Sequence, residues 1–323
     1  MMRIYSIVFS MIGLLFISCE KEEIPVAPRT PGDVTISQVN MGGDYRDQIF
    51  FRLNDNTVVS QNLRSIWDLS FESSDEGWHV LINSSKIMKV AYYEDAAFED
   101  DLNIDEATWK YDASTGNLDS TAIGDWRSGN GVYLIDRGYT HLGVAIGYYK
   151  FFVNDVDENS FSIRYSEMDG SNYQEAQVLK DKSLNLTYFS FDTGVVSVAP
   201  DKDSWDLLFT QYTYIFFETE EVTPYQVTGV LLNRNNVLAI KESDITFDKI
   251  DLEYAASSIL SDKNDVIGYD WKEFNLSEGF YSVYPDQIYI IKDIEGIYYK
   301  LHFTGFYSDS GEKGAPKFEF QKL

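Results

Sequence analysis

Residues 48–71, QIFFRLNDNTVVSQNLRSIWDLSF, recur 138 positions later as LTYFSFDTGVVSVAPDKDSWDLLF, in register and without a gap from Phe50/Tyr188 through Phe71/Phe209. HVLINSSKIMKV at 79–90 likewise matches GVLLNRNNVLAI at 229–240, and VYLIDRG at 132–138 with YYKFF at 148–152 matches IYIIKDI at 288–294 with YYKLH at 298–302. Substitution inside the blocks and length change between them is how strands and surface loops diverge. The period is far too long for a solenoid unit, so each copy has the size of a domain. The spacing predicts domains over 35–169 and 170–323, meeting near residues 169–185, where Asp169-Gly170-Ser171-Asn172 and the polar stretch 174–183 follow the last strand of copy one. Trp67 and Phe71 in the first copy, and Trp205 and Phe209 in the second, are the expected equivalent core positions.

The first residues, MMRIYSIVFSMIGLLFISC, carry one Arg, a short apolar run and the small Ser18 ahead of the only cysteine. Ile4–Ile17 is too short for a membrane-spanning helix, which takes about 20 apolar residues. It reads as a signal peptide over 1–18. Phe16-Ile17-Ser18-Cys19 at its end resembles a bacterial lipobox, which implies a lipidated Cys19 as the membrane anchor and suits a cysteine without a disulfide partner. Glu20-Lys21-Glu22-Glu23 resembles the acidic signal that sends such lipoproteins to the outer face of the outer membrane, exposed at the cell surface. The acidic Glu20-Lys21-Glu22-Glu23 and the prolines at 25, 28 and 31 predict an extended tether over 19–34.

The formal net charge is −26, which sets nucleic acid aside as a partner, because that binding depends on Lys and Arg contacts to phosphate. The 23 Tyr, 21 Phe and six Trp point to strands, whose half-buried pleats favour aromatic side chains. Period-two alternation over Ile49–Leu53, Phe161–Tyr165, Tyr188–Phe191 and Phe318–Phe320 agrees, and Asn- and Gly-rich turns separate these runs. The only helical candidates are short turns at 243–248, with Asp244 as a cap, and at 251–260. The expected fold is all-β: two tandem antiparallel β-sandwich-like domains with short helical turns.

YFSFDTGVVSV, WDLLF, a variable middle and the closing IYIIKDIEGIYYKLHFTGFY and GEKGAPKFEF occur in that order, and the pattern resembles the HmuY family. The likeness covers most of 186–323 and, more loosely, 48–168. It implies an all-β outer-membrane lipoprotein that binds haem or a related porphyrin and hands it to a TonB-dependent receptor for iron acquisition. Family members hold the iron with two His or Met side chains from the variable middle and the strands around it. Residues 205–301 of this chain contain no His and no Met. Tyrosine is an alternative iron ligand, and Tyr212, Tyr214, Tyr225, Tyr254, Tyr269, Tyr281 and Tyr284 lie in that copy. Copy one offers His79, Met88 and His141 as haem-ligand candidates; alternation within a strand would put Trp78 in the core and His79 on the opposite face.

Nothing in the chain points to catalysis. It has no Gly-x-Ser-x-Gly elbow, no zinc-spaced His and Cys cluster and no phosphate-cradling glycine loop. The acidic turns at 155–159 and 262–265 lack the glycine and distal glutamate of a calcium loop. The expectation is a binding protein and not an enzyme, without a structural metal. The alternative to a tetrapyrrole carrier is a glycan-binding, adhesion or receptor-accessory module using exposed aromatics and acidic loops.

Overall fold

Every repeated block forms strand. In the computed structural model, which describes residues 31–216 and 223–323, copy one contains β1 (Thr35–Gln38), β2 (Asp47–Arg52), β3 (Thr57–Leu63), β4 (Leu69–Glu72), β5 (Val80–Ile82), β6 (Lys89–Tyr93), β7 (Val132–Asp136), β8 (Tyr148–Val156) and β9 (Ser160–Glu167). Copy two contains β10 (Gln174–Leu179), β11 (Leu186–Ser190), β12 (Gly194–Val196), β13 (Leu207–Phe216), β14 (Thr223–Leu232), β15 (Leu238–Glu242), β16 (Lys272–Asn275), β17 (Phe280–Val283), β18 (Ile288–Lys292), β19 (Tyr298–Tyr307) and β20 (Lys313–Lys322). The signal segment and Cys19 lie outside the described residues.

The fold is all-β, and its strands pair antiparallel. One five-stranded sheet runs β1-β20-β19-β18-β15 beside a four-stranded sheet β14-β13-β2-β3; a second five-stranded sheet, β10-β9-β8-β7-β6, accompanies β12-β11-β4-β5. Each copy therefore gives its first three strands to the other. Phe51 and Ile49 of β2 pair with Leu207 and Phe209 of β13, while Phe189 and Thr187 of β11 pair with Leu69 and Phe71 of β4. The cores follow the exchange. Phe71, Phe151 and Phe161 pack with Phe189 and Phe191, and Phe209, Phe303 and Phe318 pack with Ile49, Phe51 and Leu53.

Residues 35–169 and 170–323 are thus the units of the sequence repeat but not of packing. One packing module is the continuous stretch from β4 to β12; the other joins β1–β3 to β13–β20. The expected junction at 169–185 instead carries β10, which pairs with β9 from Tyr165↔Gln174 to Ser160↔Leu179. An antiparallel neighbour needs only a short turn, and Asp169–Asn172 supplies it, with Gly170 at φ 82°.

The aspartate of each Trp-Asp pair clamps the exchanged strand. Asp68 donates its N–H to the Phe189 carbonyl at 2.8 Å and accepts from the Phe191 N–H at 2.9 Å. Asp206 does the same with Phe51 and Leu53, at 2.9 and 2.8 Å. Asn83 and Asn233 then donate to the Trp67 and Trp205 carbonyls. Across the two copies, and within one module each, Trp205 meets Phe50 edge-on at 4.9 Å, and Trp67 meets Tyr188 edge-on at 4.9 Å. Phe71 and Phe209 are fully buried, Trp205 is 6% exposed, and Trp67 is only partly buried. Trp205→Ala is expected to cost about 3–5 kcal/mol, read as a fall in denaturant midpoint, and Trp67→Ala less.

Two smaller expectations change. The one α-helix among the described residues, α1 (Leu252–Ser257), is capped by Asp251, whose side chain accepts from the Tyr254 N–H; the 3-10 turn Phe247–Lys249 follows Thr246 and receives no side-chain cap, so Asp244 is not one. The end of the proposed tether is tied down: Gly32 donates to the Lys322 carbonyl at 2.9 Å and accepts from Gln321 at 2.7 Å.

Candidate functional site

β13 and β14 are ten-residue strands where their counterparts β4 and β5 have four and three, so this hairpin continues past the shared framework. Period-two alternation places Tyr212, Tyr214 and Phe216 on one face of β13. Segment 264–270 returns against β14, Val230 exchanging backbone hydrogen bonds with Gly268 at 2.9 and 3.1 Å. Only glycine permits that approach: a Cβ on Gly229 would lie 2.3 Å from the Gly268 carbonyl oxygen. Copy one closes the third side through its loop at 113–115. The Asn264 N–H donates to the Thr115 carbonyl at 2.8 Å, and the Ser114 hydroxyl donates to Asp265 at 2.5 Å.

The result is a cleft of about 390 Å³ lined by Tyr212, Tyr214, Tyr269, Lys241, Lys263 and Asp270, among others. That size falls within the range of small-molecule sites. Tyr214 and Tyr269 lie 5.3 Å apart at 61°. Lys241 is paired with Asp270 at 2.8 Å. The Tyr212 hydroxyl is buried without a hydrogen-bond partner, and burial, followed by the charge of Asp265, pushes its ionisation well above the usual phenol range. It is therefore a neutral phenol. Gly229→Ala is expected to push segment 268–269 off β14, costing about 1–3 kcal/mol and displacing Tyr269; thermal unfolding and tyrosine fluorescence would report it.

The sequence candidates fall elsewhere. Met88 is fully buried in the core of the continuous module, packed among Val90, Tyr133 and Ile135. His79 does not alternate with Trp78, because residues 73–79 form a loop and the strand begins at Val80. Instead its ring stacks on Trp78 at 3.7 Å, and Nδ1 meets Glu72 at 2.7 Å, so the side chain is not in solvent. Its Nε2 is buried without a partner. Arg127 covers the Trp78 ring at 3.7 Å. His141 lines a different, open cleft with Tyr45, Arg64, Tyr139, Gln226 and Lys313. That cleft and the tyrosine cleft share no residue, and neither His79 nor Met88 lines either. The third histidine, His302, stacks on Phe247 at 4.6 Å and bonds the Pro285 carbonyl, as a strand-face residue does.

Tyr212, Tyr214 and Tyr269 were visible in the sequence as candidates, but the part played by loop 113–115 was not. It lies in the long unaligned stretch between repeat blocks, where no pattern announces which copy it will touch.

Residues 182–320 match the family model described as HmuY protein. No curated protein matches the chain. Among solved structures, apo PinO from Porphyromonas gingivitis is similar at 11% identity and a TM-score of 0.30, over 90% of this chain and 97% of that one. An apo HmuY analog from Tannerella forsythia is similar at 8% identity and a TM-score of 0.28, over 92% and 99%. A putative HmuY-like heme binding protein from Bacteroides vulgatus is similar at 10% identity and a TM-score of 0.24, over 89% and 90%. What the comparisons show is a likeness to the HmuY protein family over residues 182–320, somewhat under half of the chain.

Proposed function

We propose that this protein is a surface lipoprotein that carries haem or a related tetrapyrrole and passes it to a TonB-dependent receptor, without catalysing a reaction on it. The likeness of residues 182–320 to the HmuY family supports a cargo of this class. The observation that carries the reading in this chain is the tyrosine cleft, where Tyr214 and Tyr269 offer aromatic faces to a flat ring. Lys263 lies in the same cleft and suits a carboxylate substituent, Lys241 being already paired with Asp270. The axial set of the family does not fit: no His or Met lines the cleft, and Tyr212, the fully buried one of its tyrosines, is held as a phenol. Iron ligation is accordingly left out of the proposal, and the ring is held by stacking and burial.

The test is a titration of haem and of metal-free protoporphyrin into the intact mature chain, followed in the Soret band. Both are expected to bind with similar affinity, and Tyr214→Ala with Tyr269→Ala to weaken both at least about tenfold, since each aromatic contact is worth about 1 kcal/mol beyond its buried area. His79→Ala and His141→Ala should change neither. Binding confined to haem and lost with His141→Ala would overturn the stacking model; no Soret response from a folded chain would favour the glycan-binding or receptor-accessory alternative. For the anchor, Cys19→Ala is expected to move the protein from the membrane fraction to the soluble periplasm, and retention in the membrane would reject lipidation there.

A further inference from the structure

The cleft that holds His141 is walled by an arm that only copy one has. Residues 137–147 join β7 to β8, whereas the shorter 293–297 join β18 to β19. The extra length folds back on itself. Tyr139 and Ala145 form an antiparallel bridge, and the Gly143 N–H closes the turn on the Thr140 carbonyl at 3.0 Å. The Tyr139 N–H then donates to the Lys86 carbonyl at 2.9 Å. Glycine at 138 permits that approach: its φ is 65°, and a Cβ there would lie 1.9 Å from the Lys86 carbonyl oxygen. The arm faces the other module across a cleft of about 380 Å³, whose far wall carries Asp44, Tyr45, Arg64, Gln211 and Lys313.

This wall presents open donors and open acceptors side by side. Arg64 is 2% exposed and spends Nε on the Tyr45 carbonyl and Nη1 on the Ser85 carbonyl. Its Nη2 meets no acceptor among the described residues, and it is not one of the polar atoms sealed from the surface. The Lys313 ammonium covers the Tyr45 ring at 5.1 Å; unlike Lys86, Lys89, Lys182 and Lys241, it has no carboxylate partner among the described residues. Gln211 gives its amide N–H to Thr228 at 3.1 Å, which leaves the amide oxygen to accept. Asp44 takes the Arg46 N–H on Oδ1 at 3.4 Å, which leaves Oδ2. Beside these groups the Tyr139 ring, 46% exposed, offers a flat apolar flank.

A hydroxyl both donates and accepts, so a hydroxylated ligand meets every one of these groups. A carboxylate only accepts and would face Asp44; an ammonium only donates and would face Arg64 and Lys313. The C–H face of a sugar ring packs on an aromatic ring by dispersion. The groove also continues, because Gly43 and Asp44 line both this cleft and a neighbouring one of about 600 Å³ with Gln38, Asn40 and Gln61 in its wall. Asp44, Asp47 and Glu312 along that path, on a chain of net charge −26, disfavour an acidic polysaccharide.

We propose that this cleft binds one neutral sugar ring of a glycan, its flat face on Tyr139 and its hydroxyls on Arg64, Gln211 and Asp44, with room for the rest of the glycan past Gly43. The site shares no residue with the tyrosine cleft and does not depend on the tetrapyrrole reading.

Saturation-transfer difference NMR on the intact mature chain reads the contact. The probes are methyl β-galactoside, methyl α-mannoside and methyl β-glucoside, with methyl β-glucuronide as the acidic control. At least one neutral glycoside is expected to show saturable transfer to its ring C–H protons. Tyr139→Ala, at an exposed position outside both cores, should weaken that binding about tenfold, the worth of an aromatic contact with its buried area. Asp44→Ala, also at the surface, should weaken it several-fold, and Tyr214→Ala should leave it unchanged. No transfer to any neutral glycoside, transfer to the glucuronide alone, or transfer that is undiminished in both Tyr139→Ala and Asp44→Ala would each overturn the proposal.

Discussion

Residues 64–200 expressed alone are expected to fold, and residues 35–169 expressed alone are not, although only the second fragment is a whole repeat. The first fragment contains β4 to β12, hence both sheets of the continuous module, and keeps Phe71, Phe151 and Phe161 with their partners Phe189 and Phe191. It also keeps Trp67 with Tyr188. The second leaves β4 without β11 and β2 without β13 and strips Val178, Phe189 and Phe191 from the core. Each such side chain contributes about 1.5–3 kcal/mol by burial, against a whole-domain stability of about 5–15 kcal/mol. Near-UV circular dichroism and a cooperative thermal transition are the measurements. A cooperative 35–169 fragment beside an unfolded 64–200 fragment would place the packing units at the repeat boundary after all.

The second large effect is expected at Asp68. It is 1% exposed, ion-paired with Lys86 and, at 2.9 Å, with Arg137, and it also holds the Phe191 N–H. Asp68→Ala leaves Lys86 buried without its carboxylate, while Arg137 keeps only the exposed Asp192. Removing one member of such a buried set costs about 3–5 kcal/mol. The charges around the equivalent Asp206 are different, because Asn236 and Asp293 stand where Lys86 and Arg137 stand in copy one. The two aspartates consequently titrate in opposite directions. Burial alone would raise the Asp68 carboxyl, but Lys86 and Arg137 outweigh it and hold it below 3.8; its contribution is complete above that value and is lost as pH falls through the lower folded pKa. Burial, with the nearby Asp293 charge, pushes Asp206 up to about 6, so its contribution is complete below 3.8 and is lost as pH rises through about 6. Asp206→Asn should therefore gain on the wild type by roughly 2 kcal/mol between pH 4 and pH 7, and Asp68→Asn should gain nothing over the same interval. Urea midpoints at the two pH values decide it; a pH-independent difference for Asp206→Asn would remove the buried-acid account.

The tyrosine cleft was half legible in the sequence. The excess of tyrosine over His and Met in residues 205–301 pointed to the residue type. Gly229, which lets the Gly268 segment bring Tyr269 to the cleft, looked like any other glycine until a backbone was seen against it. His79 misled for a local reason. Alternation holds only inside a strand, and the loop before Val80 lets Trp78 and His79 stack on the same side.

The sequence alone determined the duplication, the strand-rich class, most turns, and the burial of Phe71, Phe209 and Trp205, because each follows from local pattern: alternation, turn chemistry and a repeated motif. It left open which copy of a strand pairs with which. The two copies carry the same pattern, so β2 and β11 are alternative partners for β4, and local preference is nearly the same for both. Tertiary structure resolved that choice, through chain connections at 64–68 and 197–206 that cross between the modules and through Asp68 and Asp206, which take Phe191 and Leu53 from the other copy. Both clefts depend on unrepeated loops: one is closed by residues 113–115 of copy one against copy two, and the other by residues 139–143 of one module against Tyr45 and Lys313 of the other. Long-range contacts of this kind leave no periodic trace in a chain, since they arise from the packing of whole elements and not from the spacing of neighbours.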